Sequence, residues 1–292
     1  MTPRVGLIDY INIFPITHAL EEAGAHAFVT GTPSELNRLL ADGDLDTSPI
    51  SSIEYARHAG EYRLLPDISI SSRGKVRSVM LFSRVPLSRL SGETVGICRA
   101  TATSRILLRI LLEDHVGVRP RYAEDATIVE ARRGTYPAIL LIGDEALGFR
   151  RAARRDPQLA VYAEHDLGEM WFERTGLPMV FSVWAVRRDA ANHREVARLH
   201  GDLCASREQG VTLPPSLLAR ASARTELSDE ELRDYYARLH YTLDDKEERA
   251  LLSFFQRAAA KGLCPPCDRL VYALPHHAPS AAPSAGQGAS TP

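Results

Sequence analysis

The chain has 292 residues, 45% of them hydrophobic, enough to bury a full core in one large domain or two lobes. Its 35 Lys and Arg nearly balance 37 Asp and Glu, and a formal net charge of −2 argues against nucleic acid or an anionic membrane as the main partner. No apolar run approaches the ~20 residues of a membrane helix, the opening Met1-Thr-Pro-Arg-Val-Gly-Leu-Ile8 is unlike a signal peptide, and four cysteines make no disulfide framework, so a cytoplasmic location is expected.

Short apolar or β-branched runs alternate with helical patterns, which predicts parallel strands covered by helices, an α/β fold. Val5–Ile8 reads as a strand entering the turn Asp9-Tyr-Ile-Asn12, and Pro15 then opens a helix that ends near Gly24. A second strand is predicted over residues 27–30. Thr32-Pro-Ser-Glu35 follows as a capping box with proline at the first helical position. Leu36, Leu39 and Leu40 form that helix's inward stripe, and Gly43 ends it. A short strand over residues 45–47 should lead into Ser48-Pro-Ile-Ser-Ser52, whose serines suit the capping of a helix carrying Ile53 and Tyr55.

Two later segments, residues 78–83 and 179–186, are long and strand-like. Between them lie a strand over 94–98, a helix from Thr103 carrying Ile106, Leu107, Ile110 and Leu111, and a strand over 138–142 ahead of Gly143-Asp144. One α/β unit inserted between two long strands predicts two lobes joined by a double hinge: residues 1–82 and 185–274 in the first, 83–184 in the second. Beyond Asp189 only helices are predicted, one capped by Ser228-Asp-Glu-Glu231 and another with an apolar face of Leu251, Leu252, Phe254 and Phe255. Residues 275–292, rich in Pro, Ala, Ser and Gly, are too poor in apolar content to pack and predict a disordered tail.

Ligands of open α/β sheets sit beyond the carboxyl ends of the strands, which nominates Asp9–Asn12, Ser48–Ser52, Arg99–Ser104 and Gly143-Asp144. Ser51, Ser52, Thr101, Thr103 and Ser104 stand where helices begin, and hydroxyls, free N–H groups and the helix dipole there would accept a carboxylate. The dipole supplies only ~0.3–1 kcal/mol against ~1.5–3 for a hydrogen bond to a charged group, so several converging donors are needed. Each turn also reads as a plain helix cap, Asp144 more readily as a cap than as an acid, and Asn12 as a turn former. Trp171 and Trp184 read as packing at the hinge, Arg150, Arg151, Arg154 and Arg155 as a solvated helix face, and His165 as a base without a partner. Cys264-Pro-Pro-Cys267 follows a helix end and has no second Cys or His pair, which favours an exposed turn over a redox or zinc motif. No Ser-His-Asp order, glycine-rich phosphate loop or metal-ligand cluster stands out.

Several stretches, in order, resemble one family. Val5-Gly-Leu-Ile-Asp-Tyr-Ile-Asn-Ile-Phe-Pro15, Gly43-Asp-Leu-Asp-Thr-Ser-Pro-Ile-Ser-Ser-Ile-Glu-Tyr55 and Leu65-Pro-Asp-Ile-Ser-Ile70 are similar to chorismate dehydratases of the futalosine route to menaquinone. So are Val76-Arg-Ser-Val79, Thr103-Ser104, Leu141-Ile-Gly-Asp-Glu-Ala-Leu147, Asp166-Leu-Gly-Glu-Met-Trp171 and Thr175-Gly-Leu-Pro-Met-Val-Phe-Ser-Val-Trp184. The resemblance implies a two-lobed periplasmic-binding-protein-like fold of type II with an inter-lobe cleft. It also implies a cofactor-free, metal-free lyase that removes water from the dicarboxylate chorismate to give 3-[(1-carboxyvinyl)oxy]benzoate. Carried onto this chain, Asn12 and Ser78 would lie nearest the reacting centre, and Ser51, Ser52, Thr101, Thr103, Ser104, Gly143 and Asp144 would bind substrate. No Asp, Glu or His in these turns is an obvious base, which suggests that a substrate carboxylate takes the proton. A sister family, dihydroxynaphthoate synthase, opens with a different Ser/Pro/Asn-rich motif. A non-enzymatic solute-binding protein of the same fold is the rival from another class.

Overall fold

The structure, a computed structural model, describes residues 3–24, 26–99, 102–189 and 193–276. The chain opens with strand β1 (Val5–Ile8), a single 3-10 turn (Ile11–Ile13) and helix α1 (Phe14–Ala23). There follow β2 (Phe28–Gly31), α2 (Pro33–Asp42), β3 (Thr47–Ser51), α3 (Ser52–Arg57) and β4 (Tyr62–Ser72). The inserted unit comprises β5 (Val79–Ser83), β6 (Thr94–Ile97), α4 (Ala102–Ile110), β7 (Arg121–Ala123), α5 (Ile128–Arg133), β8 (Ala138–Ile142), α6 (Gly143–Ala153), α7 (Pro157–Ala160) and β9 (Ala163–Asp166). The chain closes with α8 (Leu167–Thr175), β10 (Met179–Arg187), α9 (His193–Gly210), α10 (Pro215–Thr225), α11 (Asp229–Tyr236), β11 (Leu239–His240) and α12 (Asp245–Ala260).

These strands form two mixed sheets, one in the order β11-β4-β10-β3-β1-β2 and the other β7-β6-β8-β5-β9. In the first, β1 runs parallel to β2 and β3, whereas β10 lies antiparallel between β3 and β4. In the second, β6 is parallel to β7 and β8, and β5 is antiparallel to β8 and β9. Both faces of the second sheet are covered: Met80, Phe82, Ile139 and Leu141 pack with α6 and α7 residues, while Leu81 and Leu140 join the main core, as the two-residue side-chain period of a strand requires.

The sheets divide the chain differently from the boundaries expected at 82/83 and 184/185. All of β5 belongs to the second sheet and all of β10 to the first, so neither strand is a hinge. The chain crosses between sheets over residues 73–78 and again through α8. A buried carboxylate holds both crossings together. Asp166 accepts the N–H groups of Val76 (3.0 Å) and Arg77 (2.7 Å) from the first crossing and of Gly168 and Glu169 from the start of α8. Four donors satisfy the acid where burial, which raises its pKa, would otherwise make a charge costly.

Other expectations changed in ways with clear causes. Thr32 and Ser228 do form capping boxes. The serines of Ser48–Ser52 cap nothing, because residues 47–51 form the buried strand β3 between β1 and β10, and strand neighbours on both sides override the turn preference of Ser-Pro. Arg154 and Arg155 are exposed, as expected of a solvated face, and Arg151 and Arg154 also pair across it with Glu226 and Glu231 on the segment joining α10 to α11 and on α11. Cys267 is buried and Cys264 half-buried against the core, while Pro265 and Pro266 between them are exposed, so the turn is at the surface but its thiols are covered. His276 bonds Glu248 at 2.6 Å, which places residue 276 in the folded body, while residues 277–292 of the expected tail lie outside the described residues.

Candidate active site

The carboxyl ends of β1, β3 and β8, the start of α4 and the amino ends of the antiparallel β5 and β10 converge on one cavity. It holds about 590 Å³ of atom-free space, open solvent included. Its polar lining is Asn12, Ser51, Ser78, Thr103, Ser104 and Ser182, with Gly143 at the start of α6. Ile8, Tyr10, Ile70, Val76, Val79, Ile142, Phe181 and Leu239 supply most of the apolar wall. Among the described lining residues there is no Asp, Glu, His, Lys or Arg. Six of the nine residues singled out from sequence therefore meet here.

The other three do not. Thr101 lies outside the described residues. Ser52 is fully buried, and its hydroxyl donates to the Val180 carbonyl at 2.8 Å. Asp144 faces away from the cavity, accepting from the Ile11 N–H at 3.3 Å and from the Arg224 guanidinium. Arg224, on α10, also donates to the Asp9 side chain and carbonyl, each at 2.5 Å. The Tyr236 hydroxyl adds a bond to the Ile11 carbonyl at 3.0 Å. Asp144 is thus a brace for the turn that carries Asn12, because the cation that satisfies it comes from the far C-terminal helices.

Counting protons separates the hydroxyls by what they can offer. The proton of Ser52 is committed to Val180, so in its 3.2 Å contact with Thr103 the donor is Thr103. Thr103 also accepts the Ile53 N–H, and its hydroxyl is consumed in joining the starts of α3 and α4. Ser182 likewise spends its proton on the Ile50 carbonyl at 2.8 Å. Ser78 differs. Its oxygen accepts from the fully buried Tyr235 hydroxyl at 3.1 Å, which leaves its own proton free for the cavity. Burial pushes the Tyr235 phenol well above its ordinary pKa, so it remains a donor at every working pH. Asn12 lines the cavity, and its Oδ1 is buried with no hydrogen-bond partner among the described residues.

Gly143 is required by its backbone. It has φ +57°, its N–H donates to the Ser78 carbonyl at 2.7 Å, and a Cβ there would lie 3.3 Å from the Tyr10 ring. Sequence reasoning missed Tyr10, Ser182, Tyr235 and Arg224. Tyr10 and Ser182 stood inside quoted stretches, but nothing local marks Tyr235 or Arg224, whose partners are 157 and 215 positions away. Trp171 and Trp184 are buried packing residues, bonded to the Pro178 carbonyl and the Thr47 hydroxyl, as expected.

A family model described as menaquinone biosynthesis matches residues 3–260. The chain belongs to this menaquinone biosynthesis family. Within its reach, the chain is 32% identical over 273 residues to the chorismate dehydratase of Thermus thermophilus, covering 90% of this chain and 97% of that one. It is 28% identical over 246 residues to the 1,4-dihydroxy-6-naphtoate synthase of the same organism, covering 81% and 85%. In fold, this family member matches the protein AF1704 of Archaeoglobus fulgidus with a TM-score of 0.74, at 20% identity over 89% of this chain and 98% of that one. The periplasmic aliphatic sulphonate binding protein SsuA of Escherichia coli matches at 0.65, with 12% identity over 98% and 97%. The fold is periplasmic-binding-protein-like, with its cavity between two sheet-centred lobes. No helix among the described residues is long and apolar enough to cross a membrane.

Proposed function

We propose that this chain is a chorismate dehydratase, a hydro-lyase that removes water from chorismate to give 3-[(1-carboxyvinyl)oxy]benzoate in menaquinone biosynthesis. The observation that carries this reading is the 32% identity to a chorismate dehydratase across nearly the full length of both chains. The cavity's chemistry suits it. Loss of the ring C3 proton and the C4 hydroxyl aromatises the ring, so the site needs orientation and hydrogen-bond donors more than a strong base.

Without a titratable carboxylate or imidazole in the described lining, the enolpyruvyl carboxylate of the substrate takes the C3 proton. The C3–H electron pair forms the new ring double bond as the C4–O bond breaks, and the proton taken by the enolpyruvyl carboxylate passes to the departing hydroxide, which leaves as water. Ser78, its oxygen held by Tyr235, donates to the leaving oxygen. Asn12, on the cavity wall, donates from its side-chain amide to the C4 oxygen and orients it. Ser51 and Ser104 hold carboxylates; Thr103 and Ser52 set the wall on which they stand.

Incubating the purified protein with chorismate and following the aromatic product by absorbance and chromatography tests the activity. Turnover of a cyclic dehypoxanthine-futalosine substrate instead identifies the sister synthase, and binding of chorismate without product identifies a solute-binding protein. Asn12→Ala and Ser78→Ala are each expected to lose about 10²–10³ in kcat, the usual cost of one well-placed donor. Near-normal turnover by both variants overturns the assignment of roles.

A further inference from the structure

The proposed ligand is a dianion, yet the described lining of its cavity holds no charged side chain that could draw it in. A second recess beside the cavity supplies what the first lacks. Arg57, Arg99, Arg105 and Arg109 line it against only two acids, Glu124 and Asp125, around about 890 Å³ of atom-free space, open solvent included. The two spaces adjoin. Ala102, the first residue of α4, lines both, and Pro33 of the cavity wall is followed directly by Ser34 of the recess wall.

The arginines are already partnered, which holds them in place without exhausting them. Arg99 reaches Asp125 at 2.8 Å, Arg105 pairs with Glu124, Arg109 reaches Glu113 at 3.2 Å, and Arg57 lies 3.6 Å from Glu54. A guanidinium has five N–H donors, and these contacts use only part of each set. Glu54 and Glu113 stand behind the wall, so the surface a ligand meets carries four guanidiniums and two carboxylates; because every arginine is ion-paired, the pull on an anion is local to the recess.

We infer that this arginine recess is an anion-collecting antechamber, which gathers a small dicarboxylate at the cavity mouth and delivers it past Ala102 to the neutral hydroxyl-lined cavity. The inference rests on the dicarboxylate reading above. Clefts lined by one sign of charge raise association rates about 10–10³-fold; with every arginine ion-paired, this recess falls at the low end of that range, and the gain falls as salt screens it over a Debye length of ~10 Å at 0.1 M. The division of labour is chemically sensible: cations at the mouth attract, while neutral donors inside bind without holding the product by ion pairs.

The test uses Arg99→Gln, Arg105→Gln and their double variant in the full chain, with kcat and kcat/KM for chorismate measured from about 20 to about 300 mM salt. At low salt each single change should lower kcat/KM about threefold and the pair about tenfold, with kcat retained and the gap closing at high salt. Arg198→Gln, the same charge change on exposed α9, should track the wild type. A double variant that matches Arg198→Gln at every ionic strength overturns the antechamber. The association rate of benzene-1,3-dicarboxylate, followed by stopped-flow fluorescence, separates this inference from the activity it rests on. If chorismate is not turned over but this dicarboxylate associates with the same arginine and salt dependence, the activity fails and the antechamber stands. Neither turnover nor dicarboxylate binding sinks both.

Discussion

Replacing Tyr235 by phenylalanine removes a single oxygen from a fully buried ring and leaves its packing against Tyr236 in place. What is lost is the 3.1 Å bond to Ser78, which holds the Ser78 oxygen from behind and sends its proton into the cavity. A buried hydrogen bond of this kind contributes about 0.5–1.5 kcal/mol, and 1.36 kcal/mol is tenfold in rate, so kcat should fall about two- to tenfold. Ser78→Ala alone should fall much further. Because Tyr235 touches the chemistry only through Ser78, Tyr235→Phe should cost nothing more in the Ser78→Ala background, and the cycle's coupling energy should equal the whole effect of the single change. The assay is initial-rate turnover of chorismate by the four proteins. Thermal unfolding run alongside should show Tyr235→Phe losing no more than about 2–4 °C for a chain of this size. If the two losses multiply in the double variant, Tyr235 acts on something other than Ser78 and the positioning argument fails.

Gly143→Ala forces a side chain into a left-handed backbone and against the Tyr10 ring; we expect about 1–2 kcal/mol of lost stability by denaturant titration and a raised KM, and an unchanged KM would show that Tyr10 is not part of the wall. The pH–rate profile for kcat should be flat from about pH 6 to 9, since the only titratable side chain in the described lining is Tyr10, whose phenol burial holds well above its ordinary pKa; an ionisation near pH 7 would point to a protein base instead. Away from the cavity, burial and then Asp244 push the Glu247 carboxyl up to about 7, from 4.5 unfolded, beside Arg73. The folded state therefore keeps this proton more tightly than the unfolded state, so its stabilising contribution is whole below pH 4.5 and is lost as pH rises towards 7. Melting curves of wild type and Glu247→Gln between those values should diverge as pH rises, and parallel curves would exclude Glu247 as the source.

Much of the plan was legible along the chain. The strand–turn–helix order of residues 5–42, the capping boxes at Thr32 and Ser228 and the buried strand 138–142 are local patterns, written by side-chain periodicity and cap chemistry within a few residues. The ordered stretches that carry the family resemblance are also linear. What the sequence could not assign is which polar groups remain free to meet a ligand. Ser52, Thr103 and Asp144 look as available as Ser78 in one dimension. Their protons or lone pairs are claimed by Val180, by Ser52 and by Arg224, partners brought near only when the two sheets and the C-terminal helices assemble. Strand pairing likewise moved the lobe crossings out of residues 78–83 and 179–186, because a strand joins the sheet that satisfies its backbone. The sequence by itself determined the family and the place of the polar turns. Tertiary structure alone decided which hydroxyl keeps a proton to give, since a hydroxyl has one proton to donate and the rest of the molecule chooses where most of those protons go.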